Sequence, residues 1–309
     1  MSKSSRRRAR NKQRQRVDSR PAEKAAVVAR AAPAKRREPV ARREPIAPRR
    51  AATESGSVDD LHALLAPTGI LNVFTIARRD LTALFVSPVG WTVAALFVFL
   101  VSGFGFIAPV TASQQATMVG VFGVITNFLM VVLIPVVTMR VLAEERSRGT
   151  LELLMTSPVR DWELATGKWL AAFTFYLLLL ATTLVYVAIL RYFAAGLDLG
   201  LMAATYLGLV LVGGAAVAIG VLASSLTRNQ IVAFFLAMVA LLVTWYAGYL
   251  IGYFVAPPAN LFFEYVGGLS RFQSFMLGQV TLRDTVYFLT LIVVALFLTT
   301  RVTASRRWR

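Results

Sequence analysis

The chain has 309 residues, 57% of them hydrophobic, a mean hydropathy of +0.63 and a formal net charge of +17. With no cysteine and a single histidine, His62, the composition excludes disulfides, thiol chemistry and a metal centre built from clustered Cys and His. The apolar residues gather into uncharged runs of span length, which points away from an ordinary soluble globule and toward an all-α, multi-span membrane protein.

Residues 1–60 form the first unit, an Arg/Ala/Pro-rich tail with 18 Lys/Arg against 7 Asp/Glu and no aromatic residue. So little apolar surface cannot offset the entropy of ordering, and the tail is expected to be disordered. It has no apolar core of the kind a secretory signal needs. As a cationic segment it is suited to rest on anionic lipid, each basic residue near the surface adding about 1 kcal/mol. A nucleic-acid-binding arm is the sharper alternative, and the lack of interleaved aromatics argues against it.

Residues 61–88 change pattern. Ile70, Val73, Phe74, Ala77, Leu81 and Leu84 recur every three or four positions, with Arg78, Arg79 and Asp80 together on the chain. This predicts an amphipathic helix lying in the membrane interface ahead of the first span. The domain of spans then runs over 89–305. From Leu81 to Met139 no Asp, Glu, Lys or Arg occurs, which places spans at about 89–110 and 117–139.

The next stretch, Arg140 to Lys168, holds ten charges in 29 residues. Leu142, Leu151, Leu154 and Met155 can form an apolar strip, while Glu144, Glu145, Arg148 and Glu152 fall on other faces. Gly149-Thr150 breaks the helical run, and Ser157-Pro158 marks a second helix start. The stretch reads as short amphipathic helices joined by bends at a membrane surface, or as a solvated loop.

Four further spans follow at about 169–190, 200–224, 230–255 and 285–301. The fourth is rich in small residues, and Gly208, Gly213, Gly214 and Ala218 mark a face for close helix packing. The sixth is only 16 residues between Asp284 and Arg301, so those end residues are expected to snorkel. Residues 256–284, with Phe262, Phe263, Tyr265, Phe272, Phe275 and Met276, are too apolar for a plain turn. Short helices dipping into the outer interface are expected there, either gating an exit or covering the helix tops. Trp91, Trp245, Tyr246 and Tyr249 are assigned to the interfacial aromatic belt.

Six spans put both termini on one side. Leaving out everything before the first span, the connections on that side carry 10 Lys/Arg against 3 on the other, so the termini and the charged loop are expected to be cytoplasmic. Gly167-Lys168 lacks the preceding glycine and following Ser/Thr of a phosphate-binding loop, so no ATP site is read in this chain. By these boundaries no span interior holds an ionisable residue, which argues against ion coupling and against intramembrane acid–base catalysis. Asn127 is expected to serve as a helix–helix hydrogen-bond group. No catalytic, cofactor-binding or metal-ligating residue is assigned.

The stretch Glu144-Glu145-Arg146-Ser147-Arg148-Gly149-Thr150-Leu151-Glu152-Leu153-Leu154, followed by Thr156-Ser157-Pro158, resembles a segment of ABC type-2 exporter permeases. Asp161-Trp162-Glu163, Gly167-Lys168, the run from Ser224 to Gln230 and the stretch Phe272 to Phe288 extend the resemblance over about 70–305. The closest subgroup is the gliding-motility-associated permease component and its relatives in non-gliding bacteria. The resemblance implies a six-span subunit of a bacterial cell membrane that pairs with a second permease, identical or not, and with a dimer of separate cytoplasmic ATPase subunits that bind the ATP. It also implies that a coupling helix between spans two and three docks on the ATPase. Mapped onto this chain, the coupling loop comprises Glu144, Glu145, Arg148, Gly149, Thr150, Leu151, Glu152, Leu154, Met155, Ser157 and Pro158. A non-transporting anchor or scaffold, with the basic tail as its working end, and an ion-coupled secondary transporter are the alternative readings.

Overall fold

The computed structural model describes residues 69–113, 118–147, 149, 159–193, 198–254 and 267–305. The tail and the greater part of the charged loop lie outside these. Among the described residues all regular structure is helical. The helices are α1 Gly69–Val86, α2 Pro88–Leu100, α3 Ala108–Ser113, α4 Val119–Phe128, α5 Ile134–Thr138, α6 Ala143–Ser147, α7 Asp161–Thr182, α8 Leu184–Phe193, α9 Leu199–Leu226, α10 Gln230–Phe254, α11 Gly268–Met276 and α12 Leu282–Ala304. Two π-helical segments, Val101–Ile107 and Leu129–Leu133, join α2 to α3 and α4 to α5.

Among the described residues, six stretches are long and apolar enough to cross a membrane: Pro88–Thr111, Val119–Ser147, Asp161–Phe193, Leu199–Leu226, Gln230–Gly248 and Leu282–Ala304. Five of them start within three residues of the expected positions. The third starts eight residues earlier than its uncharged run, because Asp161–Lys168 forms the first turns of α7 and not a loop. The backbone N–H of Arg160 donates to Glu163 Oε2 at 3.2 Å, which satisfies one of the donors a helix start leaves open.

The fourth span, α9, is the centre of the bundle, and its small residues explain why. Tyr176 of α7 fills the space that a side chain on Gly213 would take, and its hydroxyl donates to Leu209 O at 2.9 Å. A Cβ on Gly208 would lie 2.7 Å from Phe275 of α11, and Thr138 of α5 occupies the place of a side chain on Gly220. Trp169 donates from Nε1 to Gly214 O at 3.0 Å, and Ala218 is fully buried. Each glycine thus brings a neighbouring helix to within backbone distance, which is the packing that the small-residue face predicts.

Two aromatic expectations divide. Trp91 is exposed and donates to Phe85 O at 2.7 Å, as an interfacial residue does. Trp245 is instead buried, packed against Phe272 and Gly268, because α11 folds down onto α10. Tyr246 donates to Asn127 Oδ1 and so links the fifth span to the second, the role expected of Asn127. The side chain of Tyr249 lies outside the described residues.

Candidate functional site: an ionic junction at the end of the second span

The first link of the site is the packing of α1 on α7. Gly167 leaves room for Ile76, and a Cβ there would sit 2.9 Å from that side chain. Ile76 and Ala77 are buried in this contact, while Ile70 and Phe74 of the expected apolar strip are exposed. The strip is therefore divided: its middle grips α7 and its N-terminal part faces outward with Leu71. Asn72 donates from Nδ2 to Glu163 Oε2 at 2.9 Å and fixes the register of the two helices.

This register brings four charges together. Lys168 Nζ lies 3.0 Å from Asp80 Oδ2 and 2.8 Å from Glu145 Oε2, and Arg79 Nη2 lies 2.9 Å from Asp80 Oδ1 and 3.0 Å from Glu145 Oε1. Two cations and two carboxylates thus alternate around a ring contributed by α1, α6 and α7, segments 66 and 88 residues apart in the chain. Lys168 is 1% exposed, a position that an ammonium group tolerates only when paired. Burial works against the charge of Arg79, but Asp80 and Glu145 outweigh it and hold the guanidinium above its ordinary pKa. Arg79 accordingly remains a cation at every accessible pH.

A second set of contacts ties the same turn to the central helix. Ser224 Oγ accepts from the backbone N–H groups of Leu142 and Ala143 at 3.1 and 3.0 Å, and donates to Met139 O at 3.3 Å. Arg146 donates from Nη1 to Ser225 O. The serine pair at the end of α9 thereby caps the break between α5 and α6, where backbone donors would otherwise be left open. Gly149 follows with φ +71°, the left-handed conformation that ends a helix and that glycine adopts at low cost.

Of the coupling-loop residues named from the sequence, Glu144, Glu145 and Gly149 are therefore placed, and Glu145 is in the ring. Arg148, Thr150, Leu151, Glu152, Leu154, Met155, Ser157 and Pro158 lie outside the described residues. The sequence reading missed Lys168, Asp80, Arg79 and Ser224 as members of this junction. A helical signal was present: Leu164, Ala171, Ala172, Phe175 and Leu179 continue one buried face back across Lys168.

A charge that the sequence reading sets before the third span belongs to its helix. With the third helix beginning at Asp161, Lys168 lies inside it. At the other end of the bundle Asp284 does not snorkel; it is 3% exposed and accepts from Arg271 Nη1 at 3.1 Å and from the Thr281 hydroxyl at 2.6 Å. Arg301 is exposed, with its guanidinium 4.9 Å from the centre of the Phe297 ring. Among the described residues no group of His, Cys, Asp and Glu is arranged to hold a metal ion.

Residues 48–309 match the family model described as ABC-2 family transporter protein, a longer match than the 70–305 of the motif resemblance. No curated protein matches the chain at the level that would indicate relationship. The match covers most of the sequence, and six apolar helices of span length accompany it. The chain belongs to the ABC-2 transporter family, as a multi-pass membrane permease subunit of an ABC transporter.

Proposed function

We propose that this subunit is the membrane half of an ATP-driven exporter and that ATP is bound and hydrolysed by a separate pair of cytoplasmic ATPase subunits. A second permease, identical or not, completes the assembly in the cell membrane. The loop from Glu144 to Pro158 docks on the ATPase, with Arg148, Leu151, Glu152, Leu154 and Met155 as the contacting side chains. Both termini lie on the ATPase side, α1 lies in the interface with Ile70, Leu71 and Phe74 toward lipid, and residues 1–60 rest on anionic lipid. The chain itself supplies no cofactor-binding or catalytic group. Within the family, the gliding-motility-associated subgroup is the one we assign.

The observation that carries this reading is the position of Glu145. It stands at the start of the docking loop and is bound through Arg79 to α1 and through Lys168 to α7. A push on the loop would be felt at once by the interfacial helix, the third span and, through Ser224, the fourth. Coupling then requires that the ATPase bind two arrangements of this junction with different affinity, since a partner shifts an equilibrium only by that difference.

Co-purification tests it. An ATPase subunit should accompany the intact chain from gently solubilised membranes and be lost with a Glu152→Arg, Leu154→Asp double variant, while deletion of residues 1–60 should leave the association intact. Equal recovery with both full-length forms would move the contact away from 151–155. Recovery of no ATPase at all would remove the energy source and with it the exporter reading. Loss of association on deleting the tail would make the tail the working end and favour a scaffold.

A further inference from the structure

Beside the ionic ring lies an open-sided cavity of about 760 Å³, lined by α1, α2, the end of the second span and α7. Its walls are of two kinds. Val89, Val93, Val136, Val137, Ala171 and Ala172 form an apolar side contributed by three spans, and the other side carries the ring charges together with Arg140 and Glu144. The ring is balanced internally, two cations against two carboxylates. Arg140 is not. Its Nε is buried without a hydrogen-bond partner, and among the described residues no carboxylate forms an ion pair with it. An arginine held at a cavity wall with an unmet donor is costly unless an anion completes it.

We infer that this cavity is a binding site for one anionic glycerophospholipid of the surrounding membrane, its phosphate on Arg140 and an acyl chain along Val93, Val136 and Val137. Two features select that ligand. The planar guanidinium of Arg140 matches a phosphate, and an anionic headgroup brings no cation of its own toward Arg79, Arg140 and Lys168. The volume far exceeds that of a free phosphate, and one of its two sides is hydrocarbon, which a hydrated ion would leave unfilled. The spans that supply this wall stand in the bilayer, so the ligand is at hand without a soluble carrier. The inference does not depend on where the ATPase docks.

The test uses the full chain purified in detergent and incubated with equal amounts of dioleoyl phosphatidylglycerol and dioleoyl phosphatidylcholine, with retained lipid counted by native mass spectrometry. One phosphatidylglycerol should be retained preferentially. Arg140→Gln should reduce that preference about tenfold, the worth of one charge-assisted hydrogen bond, and Arg140→Lys should keep the greater part of it. Ala83→Trp, at an exposed position on the cavity wall, should block retention of both lipids without touching the core. Equal selectivity in wild type and Arg140→Gln, or full retention in Ala83→Trp, would overturn the proposal. Displacement of the lipid by excess inorganic phosphate would assign the site to a small anion instead. Arg140→Gln should still bring down the ATPase, so a failed lipid site and a failed exporter reading give different results.

Discussion

The two ends of the bundle are both held by buried charge, but in opposite ways. At one end Arg79, Asp80, Glu145 and Lys168 share their contacts around a ring drawn from three distant segments, and the ring is partly open to water, with the Arg79 side chain 51% exposed. At the other, Arg271 and Asp284 are only 13 residues apart and nearly dry. The second arrangement is a staple. It holds α11 down over the fourth and fifth spans, where Phe272 and Phe275 are buried and Thr205 donates to Phe275 O at 3.2 Å. The first is suited to movement: each carboxylate faces two cations, so one contact can lengthen while another shortens, and water can meet what is exposed. The loop we propose to dock on the ATPase starts beside the ring and not beside the staple.

This contrast can be broken by substitution. The largest effect is expected at the staple. Asp284→Ala leaves Arg271 buried without its carboxylate and should cost about 3–5 kcal/mol, read as a lowered midpoint of thermal unfolding in detergent, whereas the double variant Arg271→Leu, Asp284→Leu should recover most of the loss. Lys168→Met should cost less, about 2–3 kcal/mol, because water can reach Asp80 and Glu145 once their shared cation is gone. Gly213→Ala places a methyl group in the space of the Tyr176 ring and should destabilise by about 1–3 kcal/mol, with a loss of the Tyr176–Leu209 hydrogen bond. Arg79→Gln should change stability by less than about 1 kcal/mol, an effect that fades in high salt. If Arg79→Gln proved as costly as Asp284→Ala, the two ends would not differ in kind.

How much of this was legible in the sequence differs between the same two regions. Spans one, two, four, five and six follow from uncharged length, and the glycine face of the fourth span from its small residues, because both are local properties of the chain. The start of α7 did not follow. Asp161, Glu163 and Lys168 read as charges of a short surface helix or loop ahead of the third span, and what lets them sit in a packed helix is supplied by Asn72, Asp80 and Glu145, whose proximity no local pattern announces. Gly167-Lys168 lacks the flanking residues of a phosphate loop; the glycine admits Ile76 and the lysine closes the ring. Asp284, at the edge of an uncharged run, reads as a residue that reaches for water, because nothing local marks Arg271 as its partner. Break residues such as Gly149 were read correctly, since a left-handed helix end is written in the residue itself.

The role we propose for the ring is to transmit movement between the proposed docking loop and the spans. The chain has no native cysteine, so a spin-label pair can be introduced cleanly at two exposed positions, Phe74 on α1 and Leu282 at the far end of the sixth span. The distance between them should be measured by pulsed electron resonance in the assembled complex, with and without trapped ATP, in the otherwise native chain and with Lys168→Met. A nucleotide-dependent change in distance is expected in the native chain and should disappear in Lys168→Met while the ATPase stays bound. A change of the same size in both would contradict it and reduce the ring to a second staple.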